Sequence, residues 1–261
     1  MSESAAPALE VRHVSKRFHA NGLEVLALED VSFGVAPQEF VTIVGPSGSG
    51  KSTLFNLIVG LLEPDEGEIC LDGECYSERI GRVGYMPQRD LLLPWRSVLD
   101  NVVVPLELHG VPMGAAREQA RELLPLFGLD GFAEAYPAAL SGGMRQRAAL
   151  LRAVLSQRSL LLLDEPFGAL DALTRREMQD WLLGLWQRLR RTILFITHDV
   201  DEAVYLGDRA LVLSARPGRV LGDVPILLPR PRRQSMVARP EFGELVARLL
   251  TTLGVPDEAA G

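Results

Sequence analysis

The chain has 261 residues, a formal net charge of −7 and 47% hydrophobic residues. This ordinary globular composition excludes a disordered, a collagenous or a disulfide-stapled protein. The acidic balance also argues against bulk binding of nucleic acid, which needs basic faces.

The sequence has no segment that predicts a membrane span or a leader. The longest leucine run, 160–163, is far below the roughly 18 to 20 apolar residues of a spanning helix. The first ten residues have neither the positive nor the apolar region of a secretory signal. We therefore expect a soluble, cytoplasmic chain. Among its 27 basic residues, only Lys16 and Lys51 are lysines, so each of them calls for an explanation.

The first third of the chain predicts mainly strands. Alternation of apolar and polar residues indicates strands, and the unbroken apolar run FVTIV is typical of a strand covered on both faces. Asp-Gly in CLDGEC is the preferred centre of a two-residue hairpin. We expect strands at 9–18, 25–35, 40–44 and 83–86, a helix at 51–59 and a hairpin at 70–75.

The rest of the chain alternates helices and strands. Apolar residues at three- and four-residue spacing predict one buried stripe on a long helix at 172–189. Such alternation favours an α/β architecture with a mostly parallel central sheet. We expect helices at 97–108, 115–127, 172–189 and 241–253, and two further helices that end at about residues 155 and 206. Strands are expected at 160–163, 193–196 and 210–213.

Residues 45–53 read GPSGSGKST and fit the phosphate-loop pattern G-x-x-x-x-G-K-[ST]. An apolar strand precedes the pattern and a helix-compatible segment follows it, as the pattern requires. Glycines let backbone N–H groups surround phosphate oxygens, and the helix N-terminus adds a favourable dipole. A flexible Gly/Ser turn is the alternative. The predicted phosphate-binding residues are Gly45, Pro46, Ser47, Gly48, Ser49, Gly50, Lys51, Ser52 and Thr53.

Two acidic residues, Asp164 and Glu165, follow the leucine strand. The carboxyl ends of parallel strands form the sheet edge where α/β proteins bind ligands. Beside a phosphate loop, the first carboxylate can hold Mg²⁺ while the second orients and polarises an attacking water. Without that loop, the pair would be a solvated strand end.

Together these motifs resemble those of an ATP-binding cassette (ABC) ATPase. The segment LSGGMRQR, residues 140–147, is similar to that family's signature sequence. Gln88 stands at the Q-loop position, GALD at 168–171 matches the D-loop, and His198 is at the position of the switch histidine. Phe18 matches the aromatic residue that stacks on adenine. The resemblance spans residues 18–198.

The resemblance implies a P-loop NTPase core with a mostly parallel sheet, an antiparallel β subdomain and a helical signature subdomain. The whole chain, 1–261, would be one ATPase domain, with the helical subdomain at about 89–155 and a short C-terminal extension at 216–261. Two such subunits would meet head to tail with two ATP molecules between them. Contacts with the ATP of the opposite subunit would come from Ser141, Gly142, Gly143 and Asp171.

For the chemistry, the resemblance implies ATP hydrolysis with Mg²⁺. Lys51, Glu165 and His198 would be catalytic, with Lys51 on the β- and γ-phosphates. Mg²⁺ would be held by Ser52, Gln88 and Asp164. Two residues depart from the family pattern: Met144 replaces the common Gln, and Gly168 replaces the common Ser. Because Glu165 and His198 are retained, we expect an active enzyme.

The segment GYMPQRDLLLPWRSVLDNVVVPLEL is similar to the ATPases of nitrate, sulfonate and taurine importers. The implied partners are membrane permease subunits and a solute-binding protein, at the cytoplasmic face of the inner membrane, and not nucleic acid. The apolar residues 91–95 follow Gln88, where this family docks a helix of the membrane subunit. Alternatively these side chains belong to the core.

Two other functions remain open at this point: a soluble ABC-type ATPase in DNA repair or cluster assembly, and a non-catalytic scaffold. The arginine-rich segment 216–239 fits a solvated tail better than a surface for anionic lipid headgroups. Cys70 and Cys75 would lie opposite each other in the hairpin, and a reducing cytosol favours free thiols. We assign His13, His19 and His109 to structure or solvent.

Overall fold

The computed structural model of the chain describes residues 6–20 and 23–255. Strands and helices alternate along the chain, as the sequence predicts. In chain order, the strands are β1 (Leu9–Ala20), β2 (Leu23–Val35), β3 (Phe40–Val44), β4 (Glu66–Leu71), β5 (Glu74–Cys75), β6 (Gly84–Met86), β7 (Leu160–Asp164), β8 (Thr192–Ile196), β9 (Arg209–Leu213) and β10 (Val220–Pro225). The α-helices are α1 (Lys51–Val59), α2 (Val98–Val102), α3 (Val104–Leu108), α4 (Met113–Leu123), α5 (Gly142–Leu155), α6 (Ala172–Leu189), α7 (Val200–Leu206) and α8 (Pro240–Thr252).

The chain folds into two compact units. The first unit holds the described residues up to Arg82 and again from Arg190 onward, and the second unit is Val83–Leu189. In the first unit, β2, β1, β4 and β5 form an antiparallel sheet in that order. Strands β8, β3 and β9 run parallel, and β10 pairs antiparallel with β9. The central strand β3 is buried throughout, as its unbroken apolar sequence predicts.

The hairpin between β4 and β5 forms as predicted, but its cysteines do not stay free. Asp72 and Gly73 make the turn with φ angles of 51° and 83°, as a two-residue hairpin turn requires. The register places Cys70 directly opposite Cys75, and a disulfide joins them. The prediction of free thiols is therefore wrong for this structure. The carboxylate of Glu68 lies close to both sulfur atoms, which are already bonded to each other.

The arginine-rich segment is not a solvated tail, so this prediction is also wrong. It contains the whole of β10, which the sequence analysis missed. Arg232 is buried, and its Nη1 donates hydrogen bonds to the carbonyls of Val204, Tyr205 and Gly207 at 2.6–3.0 Å. These carbonyls lie at the C-terminal end of α7, where a cation is favourable. Arg230 pairs with Asp208 at 2.7 Å.

The second unit contains the parallel pair β6 and β7 and helices α2 to α6. The predicted helix at 97–108 is two short helices, because Pro105 has no N–H to continue the ladder. Helix α4 ends at Leu123, ahead of the expected 127, since Pro125 follows. Helix α6 has the expected bounds, and its buried face includes Met178, Leu182 and Leu185. Across the described residues, we find no helix whose length and apolarity would let it cross a bilayer.

Candidate functional site

In the loop between β3 and α1, two glycines leave no room for a side chain. A Cβ atom on Gly45 would lie 2.9 Å from the carbonyl oxygen of Leu213. One on Gly50 would lie 2.7 Å from Cδ2 of Leu28. Gly50 has a φ angle of 89° and directly precedes α1. The glycines thus fit the loop tightly against neighbouring strands and direct it into the start of a helix, which is the geometry of a phosphate cradle.

Lys51 lies against this loop. Its Nζ donates hydrogen bonds to the carbonyls of Gly45 at 2.7 Å and Pro46 at 3.0 Å, and to Oγ of Ser49 at 3.3 Å. The residue is only 6% exposed. No side chain in the described part of the chain caps the start of α1, so its N–H groups are available to an anion. The other predicted loop residues are exposed or half-buried: Pro46, Ser47, Gly48, Ser52 and Thr53.

His198 lies at the same sheet edge as the phosphate loop. Strands β3 and β8 are parallel, with Ile43 opposite Ile196, and the N–H of Thr197 donates to the carbonyl of Ile43 at 3.1 Å. Gly45 and His198 therefore follow neighbouring strands, and His198 is exposed. The parallel register accounts for this proximity of residues far apart in sequence.

Phe18 lies on β1 and is 36% exposed. Its ring centroid is 5.9 Å from Nζ of Lys16, the other of the two lysines.

The remaining histidines are assigned to structure or solvent. His13 contacts Asp30 at 2.7 Å and His109 contacts the Pro105 carbonyl at 2.6 Å, and His19 is exposed.

In the second unit, the acidic pair follows a buried strand as predicted. Asp164 ends β7 and is 3% exposed. Glu165 comes next with a φ angle of 44°, a left-handed conformation that costs a non-glycine residue about 1–3 kcal/mol and is concentrated at functional sites. Gln88 follows the adjacent parallel strand, β6, and its Nε2 donates to Oε2 of Glu165 at 3.3 Å. The structure therefore brings Gln88 and the acidic pair together.

The carboxylate of Asp164 influences its neighbouring strand electrostatically. Burial, and then the charge of Asp164, raise the pKa of Tyr85 to about 12. The phenol consequently stays protonated at physiological pH.

The signature segment forms the beginning of α5. Ser141 is the N-cap residue, and its Oγ accepts a hydrogen bond from the N–H of Met144 at 3.2 Å. Gly142 and Gly143 form the first turn, which contains no acidic residue. The absence of side chains and the positive helix end make this turn suitable for an approaching phosphate.

Asp171 has a local structural role. Its Oδ1 accepts hydrogen bonds from the N–H groups of Leu173 and Thr174 at 3.1 and 3.0 Å, and its Oδ2 accepts one from Oγ1 of Thr174 at 2.7 Å. The Thr174 hydroxyl, followed by the backbone N–H, lowers the pKa of Asp171. At Gly168, a Cβ atom would be in ordinary contact with Glu165, so the missing serine is not excluded by space.

The segment after Gln88 is partly core and partly surface. Leu92 is 8% exposed, while Leu91 is 56% and Trp95 is 72% exposed. Arg152, which the sequence analysis missed, holds this segment through hydrogen bonds to the carbonyls of Asp90 and Leu91. An arginine within a predicted helix gives no sequence signal for such a contact.

Comparisons with known proteins show which family the chain belongs to. A family model described as ABC transporter matches residues 28–168, more than half of the chain. The taurine import ATP-binding protein TauB of Rhizobium johnstonii is 45% identical over 243 residues, covering 91% of this chain and 93% of that protein. The aliphatic sulfonates import ATP-binding protein SsuB of Bacillus cereus is 39% identical over 248 residues, covering 91% and 98%.

Among solved structures, the chain is similar to a dimeric post-hydrolysis state of the ATP-binding cassette MJ0796 bound to ADP and Pi. The TM-score is 0.74 at 30% identity, with 85% of this chain and 100% of that chain covered. The predicted α/β fold with a P-loop NTPase core is thereby confirmed. On the family model and the extent of these relatives, the chain belongs to the ABC transporter family.

Proposed function

We propose that this chain is the ATP-binding and ATP-hydrolysing subunit that energises an ABC importer of small organic or inorganic anions. The phosphate loop is the observation that carries the proposal. Lys51 is buried against the loop carbonyls, and the tight packing at Gly45 and Gly50 fixes the backbone. Such a loop is specific for the phosphates of a nucleotide, and membership of the family makes ATP that nucleotide.

Hydrolysis in this proposal depends on positioning and charge stabilisation. Residues 45–53 surround the phosphates, and Phe18 stacks on the adenine. On binding, the Lys51 ammonium exchanges loop carbonyls for oxygens of the β- and γ-phosphates. Glu165 orients and polarises the attacking water, and His198 contacts the γ-phosphate.

The metal of this reaction is Mg²⁺. Ser52, Gln88 and Asp164 offer a hydroxyl, an amide and a carboxylate oxygen, the ligand types that Mg²⁺ prefers. The side chain of Ser52 is exposed at the start of α1, and Asp164 lies at the end of a buried strand. The ion supplies charge neutralisation on the phosphates when bound.

The active form in this proposal is a homodimer. The first turn of α5, with Ser141, Gly142 and Gly143, would contact the γ-phosphate bound by the other subunit. Asp171 would contribute to the same contact, although its carboxylate already caps α6. Dimeric structures of a related cassette support this assembly. Loss of the γ-phosphate would remove the partner of those N–H groups, so that hydrolysis opens the dimer.

Import is supported by the relatives, whose names give taurine and aliphatic sulfonates as substrates. The partners would be membrane permease subunits and a solute-binding protein, at the cytoplasmic face of the inner membrane. Leu91 and Trp95 are exposed and would contact the permease. These relatives give no support to a function in DNA repair or cluster assembly.

The purified chain tests the nucleotide reaction. We expect Mg²⁺-dependent ATP hydrolysis that is lost in Lys51→Ala. Glu165→Gln should keep ATP binding, lower the hydrolysis rate by about 10²–10⁴-fold and accumulate a dimer in ATP, measured by light scattering. Glu177→Gln, an exposed carboxylate of α6, is the matched control. A Glu165→Gln protein that binds ATP and stays monomeric would contradict the dimer mechanism.

Permease coupling needs a separate experiment. Trp95→Ala in the natively expressed protein should reduce co-purification of the integral membrane subunits without changing ATP binding by the isolated chain. Phe132→Ala, another partly exposed aromatic residue of the second unit, serves as the control. Equal recovery of the permease with Trp95→Ala would exclude this docking residue.

A further inference from the structure

The side chain of Lys16 is less exposed than those of the two arginines on β1. Its Nζ donates to Oδ1 of Asp65 at 2.8 Å, and its side chain is only 15% exposed. The side chains of Arg12 and Arg17 on the same strand are 46% and 43% exposed. Asp65 comes directly before β4. At Gly67, the second residue of β4, the strand lies so close to β1 that any Cβ would overlap the carbonyls of residues 12 and 13.

Asp65 holds the backbone of this part of β1 as well. Its Oδ2 accepts a hydrogen bond from the N–H of Arg17 at 2.5 Å, and its own N–H donates to the carbonyl of Ser15 at 3.0 Å. The strand register shifts between Lys16 and Arg17. A single carboxylate therefore fixes both the irregular backbone and the lysine side chain one and two residues before Phe18.

The Phe18 ring is partly exposed and lies beside this anchored lysine. The ring is 36% exposed, and the Lys16 ammonium lies 5.9 Å from its centroid, within the range of a cation–π interaction. A compact ammonium can contact Asp65 and the ring together. Arginine, whose head is a planar fork, is not equivalent in such a position.

The same residue relates Phe18 to the phosphate loop. Lys16 is opposite Leu28 in the β1–β2 ladder. Leu28 packs so closely on Gly50 that a Cβ there would lie 2.7 Å from its Cδ2. The register of β1 and β2 thus connects the strand segment that carries Phe18 with the strand that packs against the phosphate loop.

We propose that Lys16, anchored by Asp65, is a positioning residue for the adenine base: it holds the Phe18 ring at the distance from the phosphate loop that an adenine nucleotide spans. This inference rests on the proposed function, in which Phe18 stacks on adenine. Lys16 itself contacts neither the phosphates nor the reacting atoms. Its effect is therefore on binding of the base and not on the rate of the chemical step.

The test compares ATP with inorganic triphosphate, which has no base. Lys16→Met should raise the Kd for ATP about three- to tenfold, a part of the energy of one stacked base, and leave the Kd for triphosphate and the kcat for ATP unchanged. Lys16→Arg should recover only part of the ATP affinity. Arg12→Met removes an ion pair from the same strand and should leave the ATP affinity unchanged.

A double variant identifies the route of the effect. If Lys16 acts through Phe18, Lys16→Met combined with Phe18→Ala should bind ATP no more weakly than Phe18→Ala alone. Asp65→Asn should reproduce the Lys16→Met result, and it serves as the second variant if Lys16→Met does not fold. Equal losses for ATP and triphosphate, full additivity with Phe18→Ala, or unchanged ATP affinity would each overturn the inference. Failure of the proposed function would instead appear in the unaltered chain. That chain would then show no ATP binding, or ATP binding that Lys51→Ala does not abolish.

Discussion

The side-chain amide of Gln88 donates a hydrogen bond to the carboxylate of Glu165 across 3.3 Å. The two residues follow neighbouring parallel strands, and Glu165 has a left-handed backbone conformation. The proposed catalytic carboxylate is therefore oriented by a residue 77 positions earlier in the chain.

Gln88→Ala removes this orienting contact. We expect the rate of ATP hydrolysis to fall by about tenfold or more, as for residues that support a catalytic group, with the thermal midpoint nearly unchanged. Steady-state ATPase measurements check this. Arg89→Ala, which changes the exposed neighbour, should behave like the unaltered chain, and an equal loss in that variant would argue against the role of Gln88.

Gly45→Ala places a methyl group 2.9 Å from the Leu213 carbonyl. We expect a loss of about 1–3 kcal/mol in the free energy of unfolding and greatly weakened ATP binding, because the loop must shift. Gly184→Ala is the opposite control, since Gly184 lies within α6 with open space around it. That variant should stabilise the protein by about 0.5–1 kcal/mol. Denaturant unfolding and nucleotide titration measure both effects.

Arg232→Ala leaves the carbonyls at the end of α7 buried without their donor. We expect a loss of about 2–4 kcal/mol in the free energy of unfolding, seen as a lower midpoint in thermal or urea unfolding. Arg239→Ala should change stability little, because its exposed side chain makes no capping bond to α8. Similar losses in both variants would mean that segment 216–239 acts only through its net charge.

Reduction of the bond between Cys70 and Cys75 should lower stability modestly. The two residues are only five apart, and closing so short a loop contributes about 2 kcal/mol through the unfolded state. The thermal midpoint of the oxidised protein should fall on addition of dithiothreitol. A double variant with both cysteines replaced by serine should have the same midpoint with and without the reductant.

The interactions of the Asp65 carboxylate predict that the stability of the folded chain depends on pH. A hydrogen bond from Lys16, followed by the Arg17 N–H, lowers the pKa of Asp65 below its ordinary value of 3.8. A carboxylate whose pKa is lowered by folding contributes its full stabilisation at pH values above its ordinary pKa. This contribution is lost as the pH falls through the lowered pKa. The difference in thermal midpoint between the unaltered chain and Asp65→Asn should therefore be constant at pH 5–7 and shrink below about pH 3.8.

The residues that could be predicted from sequence are those fixed by local pattern. The strand before Gly45 and the helix that follows the loop each depend on a few adjacent residues, and both form as expected. Contacts between distant residues could not be predicted in this way. Arg232 looks the same in sequence as its exposed neighbour Arg233, and only the position of α7 distinguishes the two.

The disulfide was missed for a different reason. The hairpin register that brings Cys70 opposite Cys75 was predictable from Asp-Gly, but the oxidation state was inferred from an assumed compartment. Likewise, the left-handed backbone at Glu165 has no sequence signal, because glutamate rarely adopts it. Strain of this kind is imposed by the surrounding fold.

The scarcity of lysine has a practical consequence for work on this protein. Reagents that acylate side-chain amines can modify only Lys16 and Lys51, and both belong to the proposed nucleotide site. Coupling a sensor surface or a dye through either side-chain amine would therefore damage nucleotide binding instead of tagging an inert position. Conversely, protection of the Lys51 amine by ATP in a mass-spectrometric footprint would report directly on occupancy of the site, with only one other lysine in the chain.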